Sequence, residues 1–115
     1  MAKCMDFAVR TVKLRQYLKD TKQEFDISKQ LLRSGTSVGA NMAEAQYAAS
    51  SRDFIAKSTI ALKECRESLY WIELLYKSDY LSDEGFESIN SDCVELIKIL
   101  TTIVKTSKSN INRKD

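Results

Sequence analysis

The chain has 115 residues, 43% of them hydrophobic, with no proline, three glycines, no histidine and a formal net charge of +2. That length supports one domain with a modest core, and the scarcity of turn formers favours long uninterrupted helices. Without histidine there is no usual general base, no Ser-His or Cys-His nucleophile pair and no carboxylate-histidine iron site, so enzyme and metal functions are disfavoured and no cofactor is expected.

No run of about 18 apolar residues is present, and Asp6, Arg10 and Lys13 interrupt any signal-peptide core, so the expectation is a cytoplasmic protein with no membrane partner. Cys4, Cys65 and Cys93 are odd in number and widely spaced, with no CxxC pair. This spacing argues against disulfides and zinc, and casts Cys65 and Cys93 as small buried hydrophobes.

The first helix, about residues 3–19, carries Phe7, Thr11, Leu14 and Leu18 in one stripe, which Met5, Val9, Val12 and Tyr17 widen. Residues 20–26 break the period, and Asp26 is the expected N-cap of a second helix over about 26–49. Along that helix Ile27, Leu31, Gly35, Val38, Met42, Ala45 and Ala49 recur every three or four residues, the face of a helix turned to a core. Its centre is nearly stripped of bulk, through Ser34, Gly35, Thr36, Ser37, Gly39, Ala40 and Ala43. An interior glycine costs about 1 kcal/mol relative to alanine. Something must offset that cost, either close approach of a neighbouring helix or a backbone surface offered to a ligand.

Ser50 and Asp53 form a capping pattern that opens a third helix over about 51–77, with Phe54, Ser58, Ala61, Cys65, Leu69 and Ile72 in its stripe and Ile55, Leu62, Trp71 and Leu75 beside it. Ser82, followed by Asp83 and Glu84, caps a fourth helix over about 83–106, with Phe86, Ile89, Cys93, Leu96 and Leu100 at helical spacing. Residues 107–115 are polar and unpatterned, and read as a disordered tail. Four long helices with short links make an all-α, up-down-up-down antiparallel four-helix bundle spanning residues 1–106 as a single domain.

Charge is uneven along this plan. Residues 1–22 hold Lys3, Arg10, Lys13, Arg15, Lys19 and Lys22 against Asp6 and Asp20, whereas residues 79–106 hold six acids against Lys98 and Lys105. The oppositely charged helices either lie side by side in one bundle or meet across a subunit boundary. Arg10, Lys13, Arg15, Lys19 and Lys22 are the candidate contacts to RNA or DNA phosphates. Exposed tyrosines among Tyr47, Tyr70, Tyr76 and Tyr80 could stack bases beside them.

On the second helix Arg33, Ser37, Asn41 and Glu44 form a polar stripe. In an antiparallel hairpin turning near residues 49 and 50, Arg33 meets Glu67 or Arg66, Ser37 meets Lys63, and Asn41 meets Ser58 or Thr59. Such a network fixes the register of the hairpin. A subunit contact, or a ligand site using Arg33, Asn41, Glu44 and Glu67, are the other readings.

Residues 31–75 resemble the central segment of the bacterial four-helix-bundle family named for 23S ribosomal RNA intervening sequences. The resemblance rests on Leu31, Arg33, Ser34, Ser37, Val38, Ala40, Asn41, Ala43 and Glu44, then on Phe54, Ala61, Glu64 and Glu67, with Met42 in place of the usual isoleucine. It implies a left-handed bundle that assembles as a ring-shaped homopentamer. It also implies likeness to the accessory variability proteins of diversity-generating retroelements, which act with a reverse transcriptase and RNA. Two expectations follow: a non-enzymatic homo-oligomeric scaffold that binds RNA or DNA through the basic first helix or, alternatively, a protein-protein adaptor that binds no nucleic acid.

Overall fold

Four helices make up almost all of the computed structural model, which describes residues 1–114 and their side chains through Asn112. They are α1 (Ala2–Asp20), α2 (Asp26–Gln46), α3 (Ser51–Lys77) and α4 (Asp83–Lys114). Each packs antiparallel against the next, and α4 returns to α1 through a thinner seam, closing a four-helix bundle 53 Å long and 22 by 20 Å across. The core is built where the apolar stripes meet: Phe7 and Leu18 of α1, Leu31 and Val38 of α2, Ile72 and Leu75 of α3, and Leu96 and Leu100 of α4 are all buried.

Small residues set the spacing within this core. At Gly35 an added Cβ would lie 2.5 Å from the Thr11 methyl and 3.1 Å from the Thr11 Cβ, so α1 and α2 approach as closely as a missing side chain allows. Close helix approach therefore accounts for this glycine. Between α2 and α3, the buried hydroxyls of Ser34 and Ser68 hydrogen-bond at 2.8 Å. Between α3 and α4, the Cys65 and Cys93 sulfurs lie 3.9 Å apart, and each faces the other residue's carbonyl oxygen. The contact with Cys65, reinforced by burial, pushes the Cys93 thiol up, and burial does the same to Cys4. The raised Cys93 and Cys4 thiols stay protonated, and all three buried cysteines pack as small apolar side chains.

Four boundaries or faces differ from the sequence reading. Glu24, not Asp26, caps α2: its carboxylate accepts from the backbone amides of Asp26 at 3.0 Å, Ile27 at 2.9 Å and Ser28 at 2.7 Å, and Asp26 is already helical. Helix α2 ends at Gln46, so Ala49 lies in an exposed link; the amides of Tyr47 and Ala48 close the last turn on Glu44 and Ala45. Helix α4 runs on to Lys114 through the segment read as a tail. Ile111 gives that extension an apolar anchor, sharing shallow grooves with Phe54 and Ile55 at the start of α3. Only Asp115 of the expected tail lies outside the described residues. Finally, Met5, Val9, Val12 and Tyr17 do not join the core; they are 66%, 43%, 40% and 46% exposed.

The α1–α2 link holds Gln23 at φ 55°, a left-handed conformation that costs a side-chain-bearing residue about 1 to 2 kcal/mol. Gln23→Gly should therefore stabilise the fold by about 0.5 to 1 kcal/mol after glycine's larger unfolded-state entropy is subtracted. A thermal melt rising by a few degrees checks this; an unchanged or lowered midpoint would show that the link relaxes without strain.

Candidate functional site

Two regions gather the polar side chains. The first is the outer edge of the α2–α3 seam, where the antiparallel hairpin places Arg33 opposite the acidic edge of α3. Its guanidinium pairs with Glu64 at 3.3 Å and with Glu67. Further along, Glu44 pairs with Lys57 at 3.0 Å, a contact that raises the Lys57 pKa through its hydrogen bond and charge. The Arg33 to Glu67 pairing is the one expected from the register. The expected partners of Ser37 and Asn41 are not: the Asn41 amide donates to the Ser37 carbonyl of its own helix at 2.9 Å, while Thr59 bonds back to Ile55 and the Ser58 hydroxyl has no partner among the described residues. Arg33, Glu44, Glu64 and Glu67 thus join two helices of one chain. Exposed pairs of this kind contribute about 1 kcal/mol or less each.

The second region is the face of α1 toward α4. Arg10 donates to Asp92 at 2.5 Å and to Ser88 at 2.9 Å, and Lys3 pairs with Glu95. The opposite charges of the two helices therefore meet inside one bundle. Arg15 turns to the other side, donating to the Phe25 carbonyl and to the Ser28 hydroxyl at 3.0 Å, where it braces the start of α2. Of the five cations singled out as phosphate contacts, Arg10 is ion-paired and Arg15 is hydrogen-bonded to neutral acceptors, while the side chains of Lys13, Lys19 and Lys22 make neither kind of contact among the described residues. They form no continuous stripe, since the 13-to-19 offset places two of them far apart around α1.

At the end of this seam a cavity of about 700 Å³ opens between α1, the α3–α4 link and the first turn of α4. Arg10, Lys13, Leu14 and Tyr17 follow at i, i+3, i+4 and i+7, which puts basic, apolar and aromatic groups on one wall. The opposite wall has Ile89 and Gly85, and a Cβ at Gly85 would meet nothing but the Ser82 hydroxyl, 3.1 Å away. At this point α4 presents no side chain to the cavity. The floor comes from the link. Its Asp79 adopts φ 68°, and the amides of Asp79 and Tyr80 bond back to Tyr76 and Leu75, a left-handed helix cap that turns Tyr80 and Leu81 into the cavity wall. The Tyr76 hydroxyl donates to Asp83 at 2.6 Å while its ring stacks on Phe86, fixing the corner from outside; that hydrogen bond raises the Tyr76 pKa.

Residues 1–102 match the 23S rRNA-intervening sequence protein family. The chain belongs to that family. It is also 51% identical to a protein of unknown function from the S23 ribosomal protein family of Bacteroides thetaiotaomicron, whose crystal structure superposes with a TM-score of 0.89 over 90% of this chain and 96% of that one. No curated protein matches the sequence.

The residues that carry the resemblance to the 23S rRNA-intervening sequence family fall on the α2–α3 hairpin, where Ser34 bonds to Ser68 and Arg33 pairs with Glu64 and Glu67. The cavity draws instead on α1, the α3–α4 link and Gly85. It was not foreseen from sequence, although the mixed basic and apolar run Arg10, Lys13, Leu14, Tyr17 and the lone glycine after the Ser82 cap were its traces. Glu24 was missed as well. Its trace was a carboxylate four residues before Ser28, one turn ahead of the apolar period. Among the described residues no three His, Cys, Asp or Glu side chains converge to hold a metal ion, and no helix is long and apolar enough to cross a membrane.

Proposed function

We propose that the protein is a non-enzymatic, self-assembling scaffold whose subunits meet through the outer face of α1. The observation that carries this reading is the exposure of Met5, Val9 and Val12, which recur at i, i+4 and i+7 and so make one apolar line. Scattered exposed apolar residues are ordinary, but an aligned set on one helix face is an association surface. A second copy of the chain is its occupant, because the family resemblance implies a closed homopentamer, and in a ring every subunit buries this patch against a different surface of its neighbour. The lack of histidine in the sequence, and the Cys93 and Cys4 thiols, pushed up by the contact with Cys65 and by burial, support a non-enzymatic role.

The charge geometry favours a protein adaptor over a nucleic-acid-binding ring. Arg10 and Arg15 are occupied within the chain, and phosphate binding weakens with every cation withdrawn. Light scattering coupled to size exclusion tests both readings. The parent should elute as a pentamer without excess absorbance at 260 nm. The Val9→Asp, Val12→Asp variant should elute as a monomer with unchanged helicity. A monomeric parent, or a variant that keeps the parent's size, would refute assembly through α1. Excess 260 nm absorbance that high salt removes would favour RNA or DNA as the cargo.

A further inference from the structure

We infer that the cavity between α1 and the α3–α4 link binds a monoanionic amphiphile, a carboxylate or sulfonate head group on an apolar body. Its volume of about 700 Å³ falls within the range of ligand sites, about 300 to 1,000 Å³. The wall is divided in character. Leu14, Leu81 and Ile89, with the rings of Tyr17 and Tyr80, supply apolar surface, while Lys13 and Lys22 bring two ammonium groups to the rim.

The charge balance selects the head group. Arg10 is neutralised by Asp92, so the charged groups left to meet a ligand are Lys13, Lys22 and the Asp79 carboxylate. They leave an excess of one positive charge. A single negative charge completes the balance, whereas a neutral ligand leaves the ammonium pair unmatched and a polyphosphate overloads a rim that already holds Asp79. Gly85 leaves the α4 wall without a side chain, apart from the Ser82 hydroxyl beside it, so the apolar body can lie along α4, and a long side chain at this position would project into the cavity.

This site lies on the α4 side of α1, around the helix from the Met5, Val9 and Val12 line, so it stands or falls separately from the assembly proposed above. The test uses the full chain titrated with 1-anilinonaphthalene-8-sulfonate, an aromatic monoanion that fluoresces in apolar surroundings. The expected result is saturable binding at one site per chain, displaced by decanoate and not by decanol. Lys13 and Lys22 are exposed and make no ion pairs among the described residues, so Lys13→Glu, Lys22→Glu should fold as the parent while binding the probe about tenfold more weakly or worse. Gly85→Leu should block the site without touching a charge.

Four outcomes would overturn the proposal: no saturable binding, displacement by decanol as readily as by decanoate, undiminished binding in the lysine variant, or binding lost in Val9→Ser, Val12→Ser but retained in the lysine variant. The last would relocate the probe to the outer face of α1.

Discussion

Gly35→Leu should lose about 3 kcal/mol or more of folding stability, which lowers the melting midpoint by roughly 10 °C in a domain of this size. The first added carbon alone would sit 2.5 Å from the Thr11 methyl. Thr11 cannot turn aside freely, because it is fully buried, is stiff at χ1, and donates its hydroxyl to the Ala8 carbonyl at 2.7 Å. The helices must therefore separate. Gly39 provides the control: a Cβ there meets Cys4 at 3.4 Å, an ordinary contact, so Gly39→Ala should gain up to about 1 kcal/mol from helix propensity. Chemical denaturation of both variants separates the cases. Equal stability of Gly35→Leu and the parent would mean that α1 and α2 do not close on that glycine.

Glu24→Ala should cost about 2 kcal/mol, near the upper end for a lost helix cap, because three amide donors at the start of α2 lose one charged acceptor together. Burial of the carboxyl opposes its ionisation, but the amides of Ile27, Ser28 and Asp26 and the Ser28 side chain outweigh that burial and hold it below its ordinary value of 4.5. As pH falls, the unfolded chain therefore takes up this proton before the folded one. The stabilisation is complete above the ordinary carboxylate value and is lost as pH drops through the lowered folded value. The stability gap between the parent and Glu24→Gln, measured by urea unfolding, should be wide at neutral pH and narrow in acid. A gap independent of pH would show that the negative charge is not what the cap uses.

Helical periodicity made the bundle legible before any coordinates, because a stripe at i, i+3, i+4 and i+7 depends only on the pitch of the helix. The register followed from the shortness of the link after α2, which is why Arg33 could be set opposite Glu67. What periodicity cannot do is decide how wide the buried arc is. Val9 and Val12 lie a quarter to half a turn from the Phe7, Thr11 and Leu18 stripe, and only the absence of a neighbouring helix on that side tells a rim residue from an exposed one. The cationic helix was misjudged for a related reason. Charge was visible along the chain, but Asp92 and Ser88 are some 80 residues from Arg10, and nothing local announces that they will neutralise it. Ile111 was the reverse case, one apolar residue in a polar run whose partners belong to the start of another helix.

The seam between α1 and α4 is thinner than the other three, and it bears on how the chain reaches its structure. Every other close pairing joins helices that are consecutive in sequence, so most contacts form across short loops and the contact order is low, which is the regime of fast folding. Closure of α4 on α1 alone requires the two ends of the chain to find each other. That step carries the largest loop entropy and returns the fewest contacts, among them the two solvent-exposed ion pairs of Lys3 with Glu95 and Arg10 with Asp92. Loop closure therefore places the α2–α3 hairpin early and the docking of α4 on α1 last, and the same order reversed makes this seam the first to open.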